Sequence, residues 1–336
     1  MMKLLRYLAF PFVPIYFMVS WCINKAYTVG FFSSKRYNFP IICVGNLSVG
    51  GTGKSPMVSY LINVLKDQKQ IATLSRGYGR STKGFVLAKS GLTHVDLGDE
   101  SFQYFQNFGK DVLVAVCEDR QNGISKLRDL QPKPDVIVLD DAYQHRKVTA
   151  GFNVLLSTYS NLFTDDIVLP TGNLREPKSG YKRANAIVVT KCPDTILDED
   201  KKQIIAKISP LKDQSVYFSS IKYSKKIKSV KEEMVLEDLK AFTLVTGIAN
   251  AKPLVNYLKD KNLDFEHLEF SDHYNFTLKD IDVLSKLDLI VTTEKDYMRL
   301  QFEPKLNGKL YYLPIEVEIE NAIEFNKQIL NFVKTS

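Results

Sequence analysis

An α/β fold, a parallel sheet with helices on both faces, is predicted by three observations. Apolar, β-branched runs recur at residues 41–47, 71–74, 112–116, 136–139, 154–156, 187–189, 242–245 and 289–291. Helix-like segments separate most of them, as at 57–65 and 251–258, and no internal repeat or low-complexity stretch breaks the series. Strands alternating with helices pair in parallel, because each crossover helix brings the chain back to the same end of the sheet. The 336 residues, 45% hydrophobic and 25% charged, suffice for two globular units. The expected division is an N-terminal apolar helix over 1–33, a first α/β unit over 34–157, and a smaller α/β unit over 158–336 that closes over a cleft. The last strand or helix is allowed to return to the first sheet.

In chain order, the N-terminus comes first. No charged residue lies between Arg6 and Lys25, and Leu8, Phe10, Phe12, Ile15, Phe17, Met18, Trp21 and Ile23 make the stretch apolar and aromatic. It falls short of the roughly 20 residues that a spanning helix needs, and Pro11 and Pro14 interrupt its first half. Lys3, Arg6, Lys25, Lys35 and Arg36 flank it, which suits a helix lying against anionic headgroups. A buried core helix is the second reading and a true span the third.

The run at 41–47 then leads into Ser48-Val49-Gly50-Gly51-Thr52-Gly53-Lys54-Ser55-Pro56, followed by Met57, Val58, Leu61, Ile62 and Leu65 at helical spacing. Strand, glycine loop and helix in that order form a phosphate cradle. Backbone N–H groups converge on phosphate oxygens, Lys54 reaches the outer phosphates, and the Ser55 hydroxyl can ligate Mg²⁺. Ser48 stands where the pattern usually begins with glycine, and Gly50 and Gly51 supply the flexibility instead. The loop implies a P-loop NTPase-like sheet and ATP with Mg²⁺ as cofactors.

Four apolar residues at 136–139 deliver Asp140 and Asp141 to the edge where ligands of such sheets bind. Beside the phosphate loop these acids read as metal-holding groups, with Asp140 the simplest ligand. Without it, they would read as an acidic helix cap. Arg76, the Asp99-Glu100 pair after Gly98, and Arg120 also follow strand ends, and offer cations and carboxylates for phosphoryl transfer.

These residues resemble one family. The phosphate loop, Ser75-Arg76-Gly77-Tyr78-Gly79, Gly98-Asp99-Glu100, Asp140-Asp141-Ala142-Tyr143-Gln144-His145, Leu174-Arg175-Glu176-Pro177, Asp272-His273-Tyr274 and Thr292-Thr293-Glu294-Lys295-Asp296 look like tetraacyldisaccharide 4′-kinase. The resemblance implies ATP-dependent phosphorylation of the 4′-hydroxyl of an acylated disaccharide 1-phosphate in lipid A biosynthesis, at the cytoplasmic face of a bacterial inner membrane. It implies Asp99 as the catalytic carboxylate with His273 its partner, Lys54 and Arg120 in catalysis, and Arg76 and Arg175 toward substrate. Ser55, Asp140, Asp141, Glu100 and Glu176 would make the metal shell, and Ser48, Val49, Gly50, Gly51, Thr52, Gly53, Lys54 and Ser55 the nucleotide loop. Members usually carry Asp-Asp-Gly-Leu-Gln-His where this chain has Ala142 and Tyr143, so the shape of that loop is open.

The rival is a membrane-associated regulatory ATPase. Thr190-Lys191-Cys192-Pro193-Asp194 resembles the guanine-reading N-K-x-D motif, but threonine replaces asparagine and the aspartate falls one residue late. The net charge of +7 is spread out except for a lysine run at 222–231, read as a solvated edge, so no nucleic-acid partner is expected. Cys22, Cys43, Cys117 and Cys192 form no disulfide or zinc pattern. No obligate protein partner is inferred.

Overall fold

The computed structural model describes residues 6–336; Lys3, expected in the basic flank, lies outside them. Helix α1 (Val13–Thr28) runs for 16 residues and buries none of them. Ile15, Met18 and Val19 are more than half exposed, which rules out the buried-core reading. No helix among the described residues is long and apolar enough to cross a membrane.

The first sheet contains β1 (Ile41–Asn46), β2 (Ile71–Ser75), β3 (Val86–Leu87), β4 (Val112–Val116), β5 (Val136–Asp140), β6 (Phe152–Thr158), β7 (Ala186–Thr190) and β8 (Ser215–Tyr223). The second contains β9 (Lys226–Lys228), β10 (Glu233–Val235), β11 (Phe242–Thr246), β12 (Phe265–Glu269), β13 (Ile290–Thr293) and β14 (Leu310–Leu313). The last strand, β15 (Ile315–Ile319), goes back to the first sheet, giving nine strands in the order β15-β8-β7-β6-β1-β5-β2-β4-β3. All neighbours from β8 to β4 are parallel, and the two edge strands are antiparallel. The strands of the middle are buried on both faces, which is why they read as unbroken apolar runs.

The division expected at 157/158 does not coincide with the sheet. β7 and β8 extend it to Tyr223, and helix α9 (Ala322–Thr335) then packs Phe325, Ile329 and Val333 onto the face that also buries Met57, Val58 and Leu61. The second unit is therefore the six-stranded sheet β10-β9-β14-β13-β11-β12, inserted between β8 and β15. Hydrophobic runs mark strands but not the sheet they join, since partner choice is made by packing rather than by local pattern. The lysine run lies along strand edges, where Lys222 pairs with Glu318 and Lys226 and Lys228 pair with Glu233.

The two units share a core. Leu97 and Phe102, at the start of α3 (Asp99–Phe108), pack in one cluster with Tyr297, Met298 and Leu300 of α8 (Glu294–Leu300). That contact fixes the N-terminus of α3, with its two carboxylates, against the second unit.

Because Phe325 is fully buried under the first sheet, Phe325→Ala should destabilise the whole phosphate-loop unit by about 3–5 kcal/mol. Urea unfolding followed by nucleotide-dependent protection checks this; protection that survives intact while only the C-terminal helix frays would place α9 outside that unit.

Candidate active site

The loop after β1 passes through left-handed glycines, Gly50 at φ 102° and Gly53 at φ 87°, before α2 (Lys54–Leu65) begins. These conformations need residues without a Cβ. Among the described residues no backbone carbonyl accepts from the N–H groups of Gly51, Gly53, Lys54 or Ser55. Four donors at a helix N-terminus thus stand free for an anion. Lys54 Nζ lies 3.5 Å from Asn46 Oδ1 and 3.6 Å from Asp141 Oδ1.

Neighbours hold this loop on two sides. On one, Val49 N–H donates to Asn173 O at 2.8 Å and Arg175 N–H to Leu47 O at 2.7 Å, so residues 173–175 form a strap. The strap also carries α1: the Tyr16 hydroxyl donates to Arg175 O at 2.9 Å, and Arg6 donates to Pro170 O, Gly172 O and Asn173 Oδ1. On the other, Thr190 Oγ1 donates to Thr52 O at 2.8 Å and Lys191 Nζ to Gly51 O at 2.7 Å.

β5 pairs with β1 and so delivers Asp140 and Asp141 beside the loop. Their environments push them apart. Burial raises Asp140, with Asp141 adding repulsion, and the carboxyl reaches about 6 despite Lys54. Asp141 is also penalised by burial, but Lys54 and Arg175 outweigh this and hold it below the ordinary carboxylate range. Asp140 Oδ2 accepts from the Tyr104 hydroxyl at 3.1 Å, with Ser75 Oγ at 3.5 Å, while Oδ1 is buried with no partner. Asp141 sits at φ 48° and binds Arg175 Nη1 at 2.9 Å. The two residues that left the loop's shape open are both buried: Tyr143 donates to Gly180 O at 2.9 Å and lies under the Arg183 guanidinium. A Cβ at Gly45 would stand 2.5 Å from Tyr143 Cβ, so the glycine in β1 lets the backbone at residue 143 approach closely.

Across the junction, Asp99 is gripped by Arg299, with Nε 3.2 Å from both carboxylate oxygens and Nη2 on Oδ2. His273 Nδ1 lies 3.3 Å from Asp99 Oδ2, and Lys295 Nζ 2.9 Å from His273 Nε2. Arg299 Nη2 also stands 3.1 Å from His273 Nδ1, so the imidazole is enclosed by Asp99, Arg299 and Lys295. Burial pushes Asp99 up, but Arg299, Lys295 and His273 more than reverse it, and its pKa falls below the usual value. Asp296, itself buried, accepts from Gly247 N–H at 2.9 Å and pairs with Arg299, while His273 N–H donates to Gly247 O at 3.1 Å. Arg299 and His273 are thereby set by one buried carboxylate.

Other expected site residues divide. Arg120 is buried, donates to Cys117 O at 2.7 Å, and keeps Nε and Nη2 without partners. Burial, then Arg120 and Arg76, push His145 down to about 4, so these cations share one electropositive edge. Glu176 is committed elsewhere: it accepts from Arg183 at 2.8 and 3.0 Å and from Gln144 at 3.0 Å. Glu100 pairs with Lys295 at 3.2 Å. Lys295 reaches Glu100 from a segment distant in sequence, which no local motif shows. No cluster of three or more His, Cys, Asp or Glu side chains is preassembled for a metal among the described residues. Mg²⁺ still fits, because it is held by one or two carboxylates plus phosphate oxygens; Asp140 with its unpartnered oxygen and Ser55 are the donors present.

Arg299, Lys191 and Thr190 went unassigned in the sequence. Lys295 and Arg299 lie four apart on α8, a same-face spacing that would have linked them once a helix was placed there.

The LpxK family model, described as tetraacyldisaccharide-1-P 4′-kinase, matches residues 5–334. A Flavobacterium johnsoniae protein named tetraacyldisaccharide 4′-kinase is 45% identical over 99% of this chain and 98% of its own. One of the same name from Bacteroides fragilis is 42% identical over 93% of this chain and 89% of its own. Among solved structures, LpxK from Aquifex aeolicus in complex with ATP has a TM-score of 0.79 and 29% identity, covering 98% of this chain and 99% of that one.

The raised carboxyl of Asp140 makes a stability prediction. Between about pH 4 and 6 the folded state keeps a proton that the unfolded chain has released, so stability falls as pH rises through that window. Asp140→Asn removes the buried charge and should be more stable than wild type by about 2–3 kcal/mol at pH 7.5 without metal, the gain vanishing near pH 4. Thermal unfolding against pH checks it; a gain that persists at pH 4 would show that burial of the charge is not the cause.

Proposed function

The chain belongs to the tetraacyldisaccharide-1-P 4′-kinase family and is an ATP-dependent kinase of lipid A biosynthesis, and we propose how its own residues divide the transfer to the 4′-hydroxyl of an acylated disaccharide 1-phosphate. The free N–H groups of Gly51, Gly53, Lys54 and Ser55 hold the phosphate chain, with Ser48, Val49, Gly50 and Thr52 shaping the loop. Lys54 and the two unpaired N–H groups of Arg120 balance charge on the phosphoryl group in flight. Asp140 and Ser55 hold Mg²⁺, which when bound supplies further charge neutralisation; Asp141 keeps Lys54 and Arg175 in place. Glu100 and Glu176, already ion-paired, are left out of the metal shell.

Asp99 accepts the hydrogen bond of the acceptor hydroxyl, and takes its proton as the new O–P bond forms and the bond to ADP breaks. Its low pKa makes it a weak base in the ground state, which suits a loose transition state in which the hydroxyl loses its proton late. His273 and Arg299 orient it. The observation that carries this reading is the Asp99–His273–Arg299 group at the N-terminus of α3, the helix whose Tyr104 hydroxyl donates to Asp140 beside the phosphate loop.

The acceptor's acyl chains keep it in a bilayer, and α1 offers the exposed apolar surface to meet it there. A cavity of about 240 Å³ between α1 and the charged edge, lined by Tyr16, Ile23, Tyr27, Gln144, Arg146 and Arg175, gives lipid a route to the site. Arg76 stands on the same edge, where it meets substrate. We place the protein at the inner face of the cytoplasmic membrane, attached peripherally through α1.

ADP release should require the lipid acceptor, and Asp99→Asn should lower kcat by about 10²–10⁴-fold with KM for ATP changed less than about threefold. Brisk acceptor-independent ADP release would favour the switch ATPase, and a matching loss of ATP affinity would make Asp99 a nucleotide or metal ligand. Ile15→Glu with Met18→Glu, both at exposed positions, should abolish flotation with anionic liposomes while nucleotide binding persists; unchanged flotation would refute the attachment.

A further inference from the structure

Lys191 follows directly on β7, two strands away from β1 on the side opposite β5. That placement fixes which end of the nucleotide it can meet. The metal-holding carboxylate comes from β5, and Asp99 and Arg120 come from the segments after β3 and β4, so the terminal phosphate lies on that side of the loop. The nucleoside end must then extend the other way, over the C-terminal ends of β6 and β7, where Lys191 emerges.

Three observations set this residue apart from an ordinary surface lysine. Its backbone is left-handed at φ 57°, a conformation that costs a non-glycine residue on the order of 1 kcal/mol and is retained where neighbours or function require it. Its ammonium donates to Gly51 O at 2.7 Å, inside the phosphate loop. Although the residue is exposed, no carboxylate among the described residues lies within 4 Å of its ammonium, which stays on the loop carbonyl. Thr190, one residue earlier, reaches the next loop carbonyl, that of Thr52, at 2.8 Å. A cation bonded to a loop carbonyl with no counter-charge, on a residue that leaves the sheet at the nucleoside side, fits both parts of a nucleotide: a polar head for the loop and ribose-phosphate, and an apolar stem for a base face.

We propose that Lys191 is a nucleoside-binding residue of the kinase, its stem covering the base and its ammonium pinning the Gly51 carbonyl. The assignment rests on the phosphate-loop reading. Asp194 lies outside it: the stem covers a ring face and does not read the ring's edge, in keeping with the failed spacing to the guanine motif.

The test uses the full chain, measuring ATP and inorganic tripolyphosphate binding by displacement of a fluorescent ATP analogue, with Lys54→Ala as control. Lys54→Ala should weaken both ligands together; if it weakens neither, the phosphate-loop reading itself fails. Lys191→Ala should weaken ATP by about tenfold or more and tripolyphosphate by no more than about threefold. Lys191→Met keeps the stem and should weaken both ligands by only about threefold. Equal weakening of ATP and tripolyphosphate by Lys191→Ala would make Lys191 a holder of the loop alone, and unchanged ATP binding would remove it from the site; either result overturns the proposal.

Discussion

A glycine-rich loop has little conformational preference of its own, and the site depends on the hydrogen bonds that pin this one from both flanks. Val49 and Leu47 are bonded to the strap at residues 173–175, and the carbonyls of Gly51 and Thr52 take Lys191 and Thr190. With its carbonyls engaged outward, the loop's N–H groups are left facing an anion. The same strap accepts from Tyr16 and Arg6. The exposed apolar helix is therefore bonded to the segment that borders the phosphate loop, not joined to it by a flexible tether.

Charge is the second organising constraint. Three aspartates end up with different tendencies because their surroundings differ. Asp140 is buried beside another acid and rises, Asp141 has two cations and falls, and Asp99 has Arg299, Lys295 and His273 and falls. A carboxylate buried with one unpartnered oxygen is costly unless a cation arrives, which makes Asp140 the group with most to gain from a metal ion. Arg120 is the converse case, a buried guanidinium with two free N–H groups that an incoming phosphate would satisfy.

The junction between the two sheets matters because Asp99 is held from the far side. α3 belongs to the first unit and α8 to the second, and their shared apolar cluster brings Arg299 onto Asp99. His273, at φ 56°, is held by its backbone bond to Gly247, which Asp296 fixes in turn. A shift of α8 against α3 would move the carboxylate's partners together.

The phosphate loop, the acids ending β5, the parallel α/β class and the apolar start were legible from residue order, because each is a local pattern: strand, glycine, helix, or a charge at a strand's end. The pairing of Asp99 with His273 was legible only through a family resemblance; the fold places them 3.3 Å apart. What the chain order concealed was partnership. The assignment of β7 and β8 to the first sheet, the diversion of Glu100 to Lys295, and the roles open to Arg299 and Lys191 all come from contacts between segments far apart in sequence. Such contacts are set by burial and packing over the whole molecule, and no periodicity within a window of residues encodes them.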